Sequence, residues 1–219
     1  MKRAGIILLA LIILVGVCKI FKQENTKFYK GVDISPHDNV DEKMITKFKE
    51  SDVKFIYILF GISEYDYTAF ARKTAELCQK NQIHYWYYFV TDATSDTQIQ
   101  RIKKFISEDN SKYHSFPLVL DYEIHENDEG IDKTRIEGII KMCQTLKAEG
   151  YDSPLIYMPE VVYHQCPDIM EQYPEQCFWL ANYSVNKNTL AEYPRNIAML
   201  QYEKGKNIME ENIFKKYVQ

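Results

Sequence analysis

Residues 54–90 read KFIYILFGISEYDYTAFARKTAELCQKNQIHYWYYFV, and they contain a strand, a helix and a second strand. Residues 54–60 and 84–90 are short runs of β-branched and aromatic side chains, which favour strands. The residues between them place small and apolar side chains three or four apart, as a helix does (Phe70, Ala71, Thr74, Ala75, Cys78). A helix between two apolar strands predicts that the strands are parallel neighbours.

The same alternation continues on both sides of this unit. Strands are predicted at residues 31–35, 54–60, 84–90, 117–123 and 154–158, and helices at 41–51, 67–81, 95–108 and 132–150. Further strands are predicted at 178–183, 197–202 and near 206–209, with no clear helix between them. Eight strands can close a barrel, and 219 residues suit one such domain. The predicted fold is therefore α/β, an irregular β/α barrel of the TIM-barrel type.

The first 21 residues differ from the rest. Lys2 and Arg3 precede an uninterrupted apolar run over residues 4–18, which is the pattern of an export segment. A cleaved signal, an uncleaved anchor and a lipoprotein signal all remain open, the last because residues 14–18 (LVGVC) resemble a lipobox ending at Cys18. We expect residues 22–28 to be a linker and residues 29–219 to form a barrel outside the cytoplasm, in the cell envelope or secreted.

Charge and cysteine content narrow the possible partners. Beyond residue 21 the chain has 24 Lys and Arg against 31 Asp and Glu, a net charge of −7, which argues against nucleic acid. The five cysteines show no metal-binding spacing, and no HExxH pattern occurs, so neither a metal nor another cofactor is predicted. Cys166 and Cys177 could form a disulfide, although free thiols are the favoured interpretation.

Two carboxylates close the strand predicted at residues 117–123 (PLVLDYE). Asp121 and Glu123 are two residues apart, so they share one face of the strand and can both point into the barrel. Mutual repulsion would raise the pKa of one carboxyl group and leave the other ionised, as acid/base cleavage of glycosides requires. The alternative interpretation is that both residues cap loops or bind a cation.

The first predicted strand, GVDIS at residues 31–35, also contains a carboxylate. Asp33 lies within an otherwise apolar strand, where a turn or cap residue is the alternative interpretation. Because functional groups of parallel barrels lie at the carboxyl ends of the strands, Asp33, Asp121 and Glu123 are expected to meet at one end.

Five segments in this order resemble glycoside hydrolase family 25, the lysozymes of the N-acetylmuramidase type: GVDIS, FPLVLDYE, PLIYM, FWLANY and MLQY. The resemblance extends from about residue 29 to residue 214. The family's D-x-S motif matches at Asp33, and its D-x-E motif matches Asp121 and Glu123. Its W-x-A-x-Y motif matches Trp179 and Tyr183.

This resemblance implies a barrel of eight strands and about five helices that hydrolyses the β-1,4 bond between N-acetylmuramic acid and N-acetylglucosamine in peptidoglycan strands. It implies that Glu123 is the general acid, that Asp121 acts beside it and that Asp33 completes the cluster. The protein is expected to be a monomer that touches the membrane only through its N-terminal segment. The substrate-binding residues that the resemblance implies are Tyr87, Tyr157, Trp179, Tyr183 and Gln201.

Three departures from the family pattern concern the surroundings of the acids. The D-x-N-x-F motif corresponds to residues 210–214, so Glu210 replaces an aspartate and is predicted to be a fourth active-site carboxylate, next to Asp33. Leu200 replaces the tryptophan of W-Q-Y, and Tyr88 replaces a histidine. A glycan-binding barrel without turnover and a barrel hydrolase of another glycan therefore remain alternatives.

Overall fold

A computed structural model of the chain describes residues 27–92, 96–108, 118–124, 130–173, 177–186, 189–194 and 196–218. The predicted export segment, residues 1–21, lies outside these ranges, as does most of the predicted linker. In the ranges that are described, no helix is long and apolar enough to span a membrane.

Nine strands and seven α-helices make up the described chain. The strands are β1 (Phe28–Ile34), β2 (Val53–Ile62), β3 (Tyr65–Asp66), β4 (His84–Val90), β5 (Val119–Asp121), β6 (Leu155–Pro159), β7 (Phe178–Ala181), β8 (Ile197–Glu203) and β9 (Lys206–Glu210). The helices are α1 (Glu42–Glu50), α2 (Thr68–Asn81), α3 (Asp96–Glu108), α4 (Lys133–Ala148), α5 (Glu160–Gln165), α6 (Pro167–Gln172) and α7 (Glu211–Val218), with a 3₁₀ helix at Thr189–Glu192.

Eight of the strands close a barrel, which confirms the predicted fold class. The order around it is β1-β2-β4-β5-β6-β7-β8-β9, and β9 pairs with β1 again, while β3 only extends β2. All neighbours are parallel except β9, which is antiparallel to both β8 and β1. The connection from β8 to β9 is a two-residue turn at Lys204 and Gly205, too short for a parallel crossover.

The four long helices lie where the sequence predicts them. Two begin at an aspartate cap: Asp41 accepts a hydrogen bond from the N–H of Met44 (2.8 Å), and Asp132 accepts one from the N–H of Arg135 (3.1 Å). The structure describes more helices than the five expected. Helices α5 and α6, with six residues each, lie between β6 and β7, where the sequence shows no clear helix, and α7 follows β9.

Side chains alternate between two cores, one inside the barrel and one between the barrel and its helices. The interior core is largely aromatic (Phe55, Tyr57, Trp86, Val119, Leu155, Trp179, Ala198, Met199, Met209, Phe214). Phe214 of α7 packs against rings at the amino ends of β1 and β4, with centroids 4.5 Å from Tyr29 and 5.4 Å from His84. Helix α7 therefore fills the end of the barrel where the parallel strands begin. The opposite end, where they finish, is called the mouth below.

The cysteines do not form the disulfide that their spacing allows. Cys78, Cys143 and Cys166 are buried and Cys177 is half-buried, and all four are free. Burial raises the pKa of the Cys78 thiol to about 12, so it is not a reactive thiolate at neutral pH.

Replacing Gly31 by alanine is expected to lower the free energy of unfolding by about 1–3 kcal/mol, because it overpacks the barrel interior. A Cβ atom on Gly31 would overlap the ring of Phe55, which is fully buried and pairs with Gly31 across β1 and β2. Urea denaturation of Gly31→Ala measures this loss. In a Phe55→Leu background the same change should cost less, and an equal cost in both backgrounds would contradict the overlap.

Candidate active site

Three carboxylates lie together at the mouth. Asp33 is the penultimate residue of β1, Asp121 is the last residue of β5, and Glu123 follows two residues later. Burial raises the pKa of Asp121 well above its ordinary value, and the nearby negative charges of Glu123 and Asp33 raise it further. The structure therefore brings together the three acids that the strand pattern places at one end of the barrel.

Asp121 points into the barrel because of the pleat of β5. Val119 belongs to the interior core, whereas Leu120 and Tyr122 belong to the core beneath the helices. Asp121 is only 5% exposed, and its Oδ1 atom has no hydrogen-bond partner within the described part of the chain. A carboxyl group in these surroundings favours its neutral form.

Glu123 has an exposed side chain on a backbone that is held in place. Arg135 of α4 donates from Nη1 to the carbonyl of Glu123 (2.8 Å) and from Nη2 to the carbonyl of Thr91 (2.9 Å). Its guanidinium also lies 4.7 Å from the centre of the Tyr122 ring, while the N–H of Tyr122 donates to the carbonyl of Tyr157 (2.9 Å). These contacts fix the backbone, and the carboxylate remains free to reach a ligand.

Asp33 is held by two side-chain amides. Its Oδ1 atom accepts hydrogen bonds from Gln201 Nε2 and from Asn207 Nδ2, each at 2.7 Å. The Oε1 atom of Gln201 in turn accepts hydrogen bonds from the hydroxyls of Tyr157 (2.9 Å) and Tyr183 (2.6 Å). Burial raises the pKa of Asp33, and the two amide hydrogen bonds oppose that rise.

The predicted aromatic residues differ in their access to a ligand. The Trp179 ring centroid lies 5.0 Å from those of both Tyr57 and Tyr157, and the residue is 2% exposed, so it forms a floor and offers no open stacking face. Tyr183 is 58% exposed at the edge of the same group and does offer such a face. Tyr157 lies between the floor and the Gln201 amide.

The structure does not bring Tyr87, one of the predicted substrate-binding residues, to the mouth. It is buried in the outer core, where its ring meets that of Phe105 of α3 at 4.7 Å. Side chains alternate along β4, so Trp86 and Tyr88 point inward instead. Burial raises the pKa of the Tyr88 hydroxyl well above its ordinary value, and the charges of the three mouth carboxylates raise it further.

Glu210 does not lie next to Asp33, where the sequence interpretation predicts it. Because β9 is antiparallel, its last residue pairs with Phe28 at the start of β1, at the opposite end of the barrel from Asp33. The residue of β9 that reaches the mouth is Asn207 near its start, which no sequence motif identifies. Leu200 lies in the outer core, so this departure from the family pattern does not alter the interior of the mouth.

The site is therefore built from acids, amides and phenols. No group of three or more His, Cys, Asp or Glu side chains suited to a metal ion occurs among the residues whose positions are described. Sequence reasoning missed Asn207 and Arg135. Arg135 lies at helical spacing on α4 like any surface residue, so nothing in its sequence context distinguishes it.

Comparisons with known proteins agree with this architecture. No curated protein sequence matches the chain. Similar solved structures include a muramidase from Acremonium alcalophilum, with 19% identity and a TM-score of 0.65 over 84% of this chain and 93% of that one. A family GH25 lysozyme from Aspergillus fumigatus shares 16% identity, with a TM-score of 0.67 over 88% of this chain and 100% of that one.

The modular autolysin LytC from Streptococcus pneumoniae, solved in complex with a synthetic peptidoglycan ligand, shares 21% identity, with a TM-score of 0.62 over 84% of this chain and 46% of that one. These likenesses show a common fold. A sequence profile described as glycosyl hydrolases family 25 matches residues 32–210, which is most of the chain. The chain therefore belongs to glycosyl hydrolase family 25.

Proposed function

We propose that this glycoside hydrolase cleaves the β-1,4 bond between N-acetylmuramic acid and N-acetylglucosamine in peptidoglycan. The observation that carries the proposal is the pairing of a buried and an exposed carboxyl group, Asp121 and Glu123, at the mouth of a family 25 barrel. The names of structurally similar proteins, a muramidase and an autolysin bound to a peptidoglycan ligand, support the choice of glycan.

The proposed chemistry follows from where each carboxyl group lies. Glu123 is exposed on a fixed backbone, so it can give its proton to the glycosidic oxygen of the leaving sugar. Positive charge then develops on the ring of the other sugar, beside the carboxyl groups of Asp121 and Asp33. A water molecule adds to the anomeric carbon of that sugar and gives up one proton to a carboxylate of the site, which completes the hydrolysis. The exposed ring of Tyr183 offers a stacking face to a sugar at the edge of the site.

Two of the three departures from the family pattern, those at Glu210 and Leu200, do not reach the three acids at the mouth. Both residues differ from the family pattern, and both lie away from the mouth. These two changes therefore leave the three acids and the groups that hold them intact, whereas the third departure, Tyr88, points into the barrel.

Incubation of the full chain with purified peptidoglycan tests this proposal. Mass spectrometry of the soluble fragments should find N-acetylmuramic acid at the new reducing ends. Reducing ends of N-acetylglucosamine would contradict the assigned bond, and release from another glycan alone would contradict the assigned substrate. Binding to peptidoglycan without any release would instead support the non-catalytic barrel.

We further propose that the chain acts outside the cytoplasm and meets the membrane only through residues 1–21. The basic pair Lys2 and Arg3 before the apolar run supports export. The barrel of residues 29–219 would then follow a linker of residues 22–28, the last of which, Phe28, already belongs to β1.

If Cys18 is the lipidation site, labelling of the expressed protein with a palmitate analogue should be lost in Cys18→Ala, because Cys18 is the cysteine of the lipobox-like segment at residues 14–18. Cys177→Ala is the matched control, since Cys177 is a half-buried thiol of the barrel, and it should keep full labelling. Labelling that persists in Cys18→Ala would remove the lipoprotein interpretation and leave the cleaved signal and the anchor.

A further inference from the structure

We propose that Gln201 and Asn207 are positioning residues that hold the Asp33 carboxylate by its Oδ1 atom and leave its Oδ2 atom to face the sugar. This inference rests on the proposed hydrolysis and extends it to two residues that do not themselves react. It also changes the role of Gln201, which the family resemblance assigns to substrate binding.

An ionised Asp33 carboxylate can only accept hydrogen bonds, so the Gln201 amide turns its NH₂ group toward Asp33 and its oxygen away from it. The oxygen side of this amide is also occupied. Its Oε1 atom accepts two phenolic hydrogen bonds, from Tyr157 at 2.9 Å and from Tyr183 at 2.6 Å. The Nε2 atom is therefore on the side of Asp33, to which it donates at 2.7 Å. Gln201 is 3% exposed and its polar atoms are already used, so it is placed to orient Asp33 and not to contact a sugar.

Asn207 acts from the neighbouring strand on the same carboxylate oxygen. Gln201 and Asn207 are cross-strand partners in the β8–β9 hairpin, and Asn207 is also paired with Gly31, two residues before Asp33 on β1. Its Nδ2 atom donates to Asp33 Oδ1 at 2.7 Å, and the side chain is fully buried. Two amides on adjacent strands thus converge on one oxygen atom.

This arrangement settles which oxygen of Asp33 is available. The hydrogen bonds that other described residues donate to the carboxylate all go to Oδ1. Asp33 is only partly buried, so its second oxygen can accept from a ligand or face positive charge on a sugar ring. Because Tyr183 also bonds to Gln201, the exposed stacking face and the carboxylate are held in a fixed relation.

The amides also favour the ionised form of Asp33, against the effect of burial and of the nearby carboxyl groups of Asp38 and Asp121. Burial favours the protonated form and raises the pKa of this carboxyl group, while the two donated hydrogen bonds lower it. Removing either donor should therefore raise the pKa of Asp33 further. If the reaction needs the carboxylate ionised, the acidic limb of the pH profile must move to higher pH by the same shift.

The test compares Gln201→Met and Asn207→Leu, which keep the side-chain volume but not the amide, with the wild-type full chain. In each variant the acidic limb of the pH profile of kcat/KM should move to higher pH by about one unit. At a given pH on the acidic side of the profile, kcat/KM should therefore be roughly tenfold lower than in the wild type. Asn81→Leu is the control: its amide donates to the Leu77 carbonyl at the end of α2, at the opposite end of the barrel, and the profile should not move.

Two further measurements separate a positioning role from a merely structural one. Adding Asn207→Leu to Asp33→Asn should cost almost no further activity, because the effect acts through Asp33. Carboxyl ¹³C NMR, with Asp33 assigned by its loss in Asp33→Asn, should show the Asp33 titration moved upward in both amide variants. This titration is independent of turnover, so it remains decisive even if the wild type hydrolyses no glycan. The proposal is overturned if the Asp33 titration is unchanged in the amide variants. It is also overturned if Asn207→Leu lowers activity in the Asp33→Asn background by as much as it does in the wild type.

Discussion

Glu123→Gln is expected to lower kcat on peptidoglycan by about 10²–10⁴-fold, because an amide cannot donate the proton that the leaving sugar needs. The fold should remain intact, since the Glu123 side chain is exposed and Arg135 holds its backbone carbonyl, which the substitution does not change. Single-turnover rates and thermal unfolding of the variant measure both expectations. Glycan affinity should stay close to that of the wild type, because the shape of the site is preserved.

The matched control is Glu137→Gln, which makes the same chemical change at an exposed position on α4, the helix that also carries Arg135. It should leave kcat, affinity and stability unchanged. Turnover at the wild-type rate in Glu123→Gln would show that another group supplies the proton. A large loss of stability together with activity would show that the side chain has a structural role instead.

The alternation of apolar strands and helices predicted most of this fold. Strand β4 has the predicted bounds, residues 84–90, and helix α2 begins one residue after its predicted start. The position of the last strand was predicted but its direction was not, because the sequence pattern of a strand does not show which way the strand runs. The sequence nevertheless contains a signal, because Gly205 lies in the short connection between the last two strands and glycine is typical of hairpin turns. In the structure Gly205 has a φ of 70° in a two-residue turn, and the hairpin makes β9 antiparallel to β8.

The carboxylates of the site were more predictable than the residues around them. Asp33, Asp121 and Glu123 follow from the pleat and from the rule that parallel barrels carry polar groups at the carboxyl ends of their strands. The same pleat would have selected Tyr88 over Tyr87, since Tyr88 shares its face of β4 with Trp86. Motif matching chose the wrong neighbour because it does not record which face of the strand is occupied.

Asn207 could not be predicted for a different reason. A single asparagine in a short strand is chemically unremarkable, and its meaning depends on the tertiary partner. Only the reversal of β9 brings it opposite Gln201 and within 2.7 Å of Asp33. The same reversal moves Glu210 to the far end of the barrel, so one topological fact accounts for both the missed residue and the wrong one.

Asp121→Asn is expected to abolish most activity and at the same time to stabilise the protein. The loss in kcat should be at least about 10²-fold, because the substitution removes a carboxyl group that can give or take a proton next to the reacting sugar. The free energy of unfolding at pH 7 should rise by about 1–3 kcal/mol, because Asp121 is 5% exposed and its Oδ1 atom lacks a partner in the described chain. Stability and function therefore conflict at this position.

The pH dependence of that gain follows from the raised pKa of Asp121 in the folded protein. Below its ordinary value of 3.8, Asp121 is protonated in the folded and the unfolded chain, so Asp121→Asn should have little effect on stability. As pH rises above 3.8, the unfolded chain ionises first, and wild-type stability falls until the folded carboxyl group ionises too. The advantage of Asp121→Asn should grow across this window and then level off, as urea denaturation at several pH values would measure. Asp168→Asn, an exposed control on α6, should show no such growth. A gain that is equal at pH 3 and pH 7 would mean that the stabilisation comes from packing, and that Asp121 is not a strained carboxyl group.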